Sequence, residues 1–378
     1  MTAPLRIVVP IHSFEPGGVE RVALALCAAW QQAGAQVDVV LGRTEGAMRP
    51  DVPQLNYVLE PEPIPTRSFE TLWMMWRMIH HLRREPADVI FCSGNTYAVV
   101  IAVLKIGFGR RCPPVAIKIS NDLERRDLPR PARWFYHLWL RIQGRLIDHF
   151  VGMAAPMRRE IADLARIEDS RITIIEDPSL GEAQYAALCA LPRRERPAAG
   201  ARYLAIGRLA RQKNFPLLLR AFAQLPDSSA RLIILGEGGE RGKLEALARR
   251  LGISERIALP GHDSATTAAL AAADAFVMSS DYEGVPAVTL EALAAGLPIA
   301  STDCSVSMRG LLGDGRFGAL VPVGDAAALA AAMEHVLTMP FDPAAARGAA
   351  GPFRLSQAAP RYLALFQSLA KSAKAAAA

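Results

Sequence analysis

Short, nearly continuous apolar runs recur along this chain, separated by longer stretches whose apolar positions fall three or four residues apart. In the first half the short runs lie at residues 7–10, 37–41, 89–92, 115–119 and 149–152. Their continuity predicts strands buried on both faces, as in a parallel sheet. Helices are predicted between them, notably over residues 18–32, 69–84 and 132–146. The second half repeats the alternation, with strands at 202–206, 232–235 and 275–278 and an amphipathic helix over 215–225. Such alternation is the signature of an α/β fold with helices on both faces of its sheets. The rhythm breaks at Asp177-Pro178 and again through Pro192-Arg193-Arg194-Glu195-Arg196-Pro197, a proline-rich, charged stretch that reads as a linker. The expected organisation is a first domain over 1–178, a linker over 179–200, a second domain over 201–350, and a helix with a frayed tail over 351–378.

Composition adjusts this picture little. A chain of 378 residues that is 51% hydrophobic can fill two cores. The five cysteines, at positions 27, 92, 112, 189 and 304, show no Cys-x-x-Cys spacing, which suggests buried thiols in a reducing compartment. The sequence begins almost directly with a strand, leaving no room for a signal core before it. The apolar run over 98–104 is too short for a bilayer. A cytoplasmic protein is expected.

Candidate chemistry concentrates where strands exit into helices. After the strand at 275–278, Glu283 and Glu291 bracket Gly284-Val285-Pro286-Ala287, and Pro286 suits the first helical position because its missing N–H has no acceptor there anyway. Gly296 and Pro298 end that helix. Free N–H groups at a helix start favour an anion, and two carboxylates beside it can accept hydroxyl hydrogen bonds, so a phosphate flanked by polyol hydroxyls satisfies the set. Two glutamates alone are read at least as well as solvated or capping groups. They are not alone: Gly207-Arg208-Leu209 and Lys213 repeat the strand, loop, helix arrangement upstream, placing two cations where they can neutralise a diphosphate. A third loop, Leu235-Gly236-Glu237-Gly238, brings backbone close to a nucleotide. That loop contains no Gly-x-Gly-x-x-Gly, so it carries no dinucleotide fingerprint.

In order and wording these motifs resemble the retaining glycosyltransferases of family 4, and the resemblance extends over nearly the whole chain. It rests on Gly207-Arg208-Leu209 with Lys213, Leu235-Gly236-Glu237-Gly238, Ser280-Asp281-Tyr282-Glu283-Gly284-Val285-Pro286 and Gly296-Leu297-Pro298-Ile299-Ala300-Ser301-Thr302-Asp303. It implies the GT-B fold, two facing Rossmann-like domains with a cleft between them, and a final helix that crosses back to the first domain. It also implies roles for the Glu283-x7-Glu291 pair and its neighbours. Arg208 and Lys213 would hold the donor diphosphate, with catalytic stabilisation of the leaving group, and Glu291 the ribose hydroxyls. Glu283 would contact the transferred sugar, with backbone at Gly207, Gly236, Gly284, Val285, Pro286 and Ala287 against the donor and Thr289 near its phosphates. Gly17 and Gly18 resemble the family's glycine loop, which approaches the donor from the other domain.

Two departures accompany the resemblance. Asn121 and Asp122 stand where many relatives carry a His-Asp pair whose histidine contacts the sugar; Asn121 can hydrogen-bond but cannot titrate. Ser307-Met308-Arg309-Gly310 replaces a Gly-Pro-x-Glu pattern, removing a carboxylate. No Asp-x-Asp metal triplet is found, and Arg208, Lys213 and helix N-termini can stabilise a leaving diphosphate, so neither metal nor cofactor is expected.

The substrate expectation is a nucleotide-sugar donor, UDP-linked, and a cell-envelope glycan or lipid-linked acceptor. The stretches 73–84 and 133–141 combine aromatics with arginines, and the net charge is +6. This suggests peripheral contact with an anionic membrane, against a plain reading of core aromatics and solvated arginines. Nucleic acid is not expected, because no recognition motif accompanies the charge. The alternatives are a nucleotide-sugar epimerase of the same architecture and a non-catalytic nucleotide-sugar-binding protein. A glycoside hydrolase built on the two carboxylates leaves Arg208 and Lys213 without a role.

Overall fold

The computed structural model of the chain describes residues 3–14, 18–43, 45–46, 52–59, 69–121, 123–125, 128–192, 200–262 and 266–377. It divides into two compact units, Met1–Ser179 with Leu355–Ala378, and Leu180–Arg354.

In the first unit the strands β1 (Arg6–Ile11), β2 (Gln36–Leu41), β3 (Asn56–Val58), β4 (Val89–Cys92), β5 (Val115–Lys118), β6 (His149–Gly152) and β7 (Ile172–Ile174) form one sheet. Its order is β3-β2-β1-β4-β5-β6-β7, every pair parallel. The helices are α1 (Gly18–Gln32), α2 (Glu70–Arg84), α3 (Ala98–Phe108), α4 (Arg130–Leu146) and α5 (Met157–Ala165). The apolar runs predicted five of these strands. The other two, β3 and β7, are three residues each and only partly buried, so they leave no apolar run to read. Winding starts at β1, moves outward through β2 and β3, then returns to the other side of β1 at β4.

The second unit repeats the plan. Its strands β8 (Arg202–Ile206), β9 (Arg231–Leu235), β10 (Ile257–Gly261), β11 (Ala275–Met278), β12 (Ile299–Thr302) and β13 (Gly318–Val321) pair in the order β10-β9-β8-β11-β12-β13. All are parallel, with the reversal between β8 and β11. Helices α6 (Glu182–Cys189), α7 (Phe215–Phe222), α8 (Arg241–Arg250), α9 (Thr266–Ala272), α10 (Ala287–Ala294), α11 (Met308–Leu311), α12 (Ala326–Thr338) and α13 (Pro343–Ala350) complete it. Its core joins Tyr203 and Leu232 on strands to Leu218, Phe222, Leu329 and Met333 on helices. Residues 180–192, expected as connector, carry α6, which packs on α10 inside this unit; residues 193–197 of the proline-rich stretch lie outside the described residues.

The last helix, α14 (Leu355–Ala377), belongs to the first unit. Its Tyr362 and Phe366 pack edge-on against Trp30 of α1, with ring centroids 5.7 and 5.1 Å apart, and Trp30 Nε1 donates to the Ala359 carbonyl at 3.1 Å. Edge-on pairs of this kind contribute about 0.5–1.5 kcal/mol each beyond area burial. The expected frayed tail needs correction. Helix α14 continues to Ala377, and Lys374 reaches Asp88 at 2.8 Å, because an alanine-rich end has high helix propensity.

Candidate functional site

Open parallel sheets place ligands outside the carboxyl ends of their strands, where strand order reverses. In the second unit that point lies between β8 and β11, and the sequence-predicted residues converge on it. The loop after β8 carries Gly207, Arg208 and Lys213, and the loop after β11 carries Glu283. Lys213 Nζ stands 2.6 Å from Glu283 Oε1. Ser280 Oγ donates to the same oxygen at 2.8 Å.

Three further bonds stitch the two loops into one frame, and a fourth ties the Glu283 loop to the segment after β12. Ser279 Oγ donates to the Lys213 carbonyl at 2.8 Å, and Gln212 Nε2 to the Tyr282 carbonyl at 2.9 Å. Asp281 N donates to Gln212 O and Glu283 N to Cys304 O, both at 2.9 Å. The Arg208 side chain is exposed.

The loop after β9 closes the floor. Gly236 and Gly238 have φ of +149° and +155°, and a Cβ at either would collide with the carbonyl of Gly207 or Leu209. Only glycine fits such φ values without strain, so the Gly236 loop lies directly on the Arg208 loop.

Pro286 caps α10 from one position before its first turn, which begins at Ala287. Glu291, in the second turn, is buried, and Gln184 Nε2 of α6 donates to its Oε1 at 3.1 Å. The Gly284 carbonyl accepts from Ser305 Oγ at 2.5 Å and Ser307 Oγ at 2.7 Å. A trans peptide points its N–H opposite its C=O, so this clamp also fixes where the Val285 N–H points. Thr289 requires a correction. Its side chain is fully buried and its hydroxyl donates to Met278 Sδ at 3.6 Å, so it faces the sheet rather than a ligand.

The remaining sequence candidates lie in the first unit. Gly18 begins α1, Gly17 lies outside the described residues, and Asn121 is exposed in the loop after β5. Sequence reading gave no role to Ser280 or Ser307 and did not pick out Gln184 or Ser305. Ser307 stood in view at the departure from Gly-Pro-x-Glu, where only the lost carboxylate was noted. Burial, and next the Glu283 charge, push the Cys304 thiol up to about 12, so beside this site it stays protonated and poorly nucleophilic.

Two stitched loops, a cation paired to a carboxylate, and a helix start beside a buried glutamate define a site for an anionic, hydroxyl-bearing ligand. The family comparisons carry the same sense. Residues 16–177 match the Glycosyltransferase Family 4 model and residues 193–351 the model for Glycosyl transferases group 1. The chain is therefore a glycosyltransferase of the GT-B fold, one matched domain in each half.

Among similar proteins is the lipopolysaccharide core biosynthesis glycosyltransferase LpsE of Rhizobium meliloti, 28% identical over 86% of this chain and 87% of that protein. The apo form of the lipopolysaccharide outer core galactosyltransferase WaaB superposes with a TM-score of 0.73 at 18% identity, covering 96% of this chain and all of the other. Anabaena Alr3699/HepE in complex with UDP and glucose gives 0.74 at 18% identity over the same shares.

Proposed function

We propose that the chain is a metal-independent, retaining glycosyltransferase that moves a hexose from a UDP-sugar to a lipid-linked glycan of the cell envelope. The observation that carries this reading is the Lys213–Glu283 pair at 2.6 Å, set at the strand reversal beside the start of α10. Breaking the sugar–phosphate bond develops negative charge on the diphosphate, which Arg208, Lys213 and the Val285 and Ala287 N–H groups stabilise. Glu283 orients the sugar hydroxyls and Glu291 binds the ribose. As the C1–O bond to phosphate breaks, the acceptor oxygen bonds to C1 on the same face and its proton passes to the departing phosphate oxygen. UDP in the complex of the structural neighbour Alr3699/HepE and the lipopolysaccharide role in the name of LpsE favour the base and the envelope setting.

A lipid-linked acceptor requires access to a membrane surface. No helix among the described residues is long and apolar enough to cross one. Helices α2, α3 and α4 pack side by side and expose Trp76, Ile106, Trp134 and Phe135, the last three by 60% or more. Residues 98–111 and 130–146 contain no Asp or Glu, while Arg110, Arg111, Arg130, Arg141 and Arg145 are exposed. Aromatic side chains ringed by arginine fit the headgroup region of an anionic bilayer.

Calorimetric titration with UDP and UDP-glucose tests the site. Glu291→Ala is expected to weaken UDP at least tenfold; Glu283→Ala is expected to leave UDP affinity within threefold and reduce sugar transfer at least a hundredfold. Equal and negligible effects of both substitutions overturn the reading. Sedimentation with anionic vesicles tests the membrane arm, where Trp134→Ser with Phe135→Ser should release the protein; unchanged binding removes that arm.

A further inference from the structure

Helix α6 carries none of the motifs that mark the donor site, yet it packs on α10 and reaches a residue at its centre. Gln184 Nε2 donates to Glu291 Oε1 at 3.1 Å. We infer that Gln184 is a positioning residue, which aims the Glu291 carboxylate at the ribose hydroxyls of the donor and so sets the preference for a ribonucleotide.

The pattern of exposure along α6 gives Gln184 its place. Among the eight residues of the helix, Gln184, Tyr185, Leu188 and Cys189 are shielded and the other four are exposed. The shielded positions share one helical face, and Gln184 stands on it one turn before the fully buried Leu188. An amide turned inward needs a hydrogen-bond partner, and this one meets a carboxylate. An ionised carboxylate only accepts, so the amide nitrogen is the end that faces it.

The helix is anchored in a way that fixes this contact. Just before it, Leu180 N donates to the Phe353 carbonyl at 3.2 Å. Arg354 pairs with Glu182 at 3.3 Å, and its guanidinium lies 5.0 Å from the Tyr185 ring centroid. Tyr185 Oη donates to the Arg347 carbonyl at 3.0 Å, and Arg347 Nη2 to the Leu191 carbonyl at 2.7 Å. Arg347 belongs to α13, which packs on α10 as α6 does, so the three helices form one block that carries Glu291. A long side chain that can change rotamer loses that freedom when a ligand arrives, which weakens binding. The bond from Gln184 orders Glu291 before the donor binds. With about four lone-pair sites, the carboxylate can still accept from the two adjacent hydroxyls of a ribose.

The inference rests on the reading of Glu291 as the ribose ligand, and its test separates the two. Calorimetric titration of the whole chain compares UDP with 2′,3′-dideoxy-UDP, which lacks both ribose hydroxyls. The wild type is expected to favour UDP at least tenfold. Gln184→Met, which keeps the length of the side chain and removes its donor, and Gln184→Ala should each reduce that preference at least threefold. Their affinity for 2′,3′-dideoxy-UDP should stay within twofold of wild type, which also reports that they fold. Adding Gln184→Met to Glu291→Ala should change neither affinity further. A preference left intact in both variants overturns the inference. So does an equal loss for both nucleotides in both variants, which would make Gln184 a packing residue only. Failure of the ribose reading would show instead as no preference in the wild type, or as a preference that survives Glu291→Ala.

Discussion

The two sheets reverse their strand order at equivalent places, and the crevices at those points are furnished differently. Between β8 and β11 the side chains are a cation, a carboxylate and the start of a helix, held by hydrogen bonds between two neighbouring loops. Between β1 and β4 the crevice is lined by His12, Glu20, Ser93 and Tyr97, with Glu70 holding the first and last of these, gathered from distant parts of the sequence. Topology supplies both locations, and side-chain chemistry tells them apart.

The comparison breaks most visibly at Lys213. If the second crevice acts by stabilising a leaving diphosphate, Lys213→Ala should lower kcat by about 10²–10³, the usual loss for one preorganised charge-stabilising group. It also leaves Glu283 poorly solvated and without its cation, so Lys213→Ala with Glu283→Gln separates a folding defect from a catalytic one. Steady-state rates with UDP-glucose and an envelope glycolipid fraction provide the measurement. A loss under tenfold would mean that the Lys213–Glu283 pair is structural.

The second crevice was legible in the sequence because its parts lie in contiguous segments. Arg208 to Lys213 and Glu283 to Glu291 each form a strand exit, a loop and a helix start, so local pattern alone places their charges. The pairing of Lys213 with Glu283 was not legible, since nothing local shows that two loops 70 positions apart share hydrogen bonds. The first crevice was illegible for the same reason: His12, Glu20, Glu70 and Ser93 meet only through the order β2-β1-β4. Thr289 shows the opposite failure. A motif position suggested a ligand contact, but helical periodicity turns that side chain into the core. The short strands β3 and β7 escaped because they lie at the two edges of the sheet, where burial no longer imposes an apolar run.

A smaller effect sharpens the account of how the donor crevice is held. Ser305 and Ser307 both donate to the Gly284 carbonyl, so either one alone should keep the Val285 N–H aimed at the ligand. A single hydrogen bond contributes about 0.5–1.5 kcal/mol net. Ser305→Ala and Ser307→Ala singly should therefore change UDP-glucose affinity by less than about 1.5-fold, and together by roughly tenfold, well beyond the product of the singles, as titration calorimetry would record. Additive single effects, or no effect of the pair, would show that the carbonyl is positioned by something else. Tryptophan fluorescence should not register either change, because Trp30, Trp73, Trp76, Trp134 and Trp139 all lie in the first unit.

That distribution of tryptophans makes the smallest expected effect measurable in one unit at a time. His149 sits on β6, where burial first, and next the Arg171 charge, bring its pKa from an ordinary 6.5 down to about 4. Its Nε2 lies 2.8 Å from Thr173 Oγ1 on β7. Between those two pH values the unfolded chain takes up a proton that the folded chain refuses. The contribution of neutral His149 is thus complete above pH 6.5, is lost as pH falls through the window, and changes no further below about 4. Melting followed by tryptophan fluorescence should show the first unit losing stability from pH 6.5 to 4, and His149→Gln should flatten that slope while UDP affinity at pH 7 stays unchanged. An equal slope in wild type and variant would assign the acid sensitivity of the first unit to its carboxylates instead.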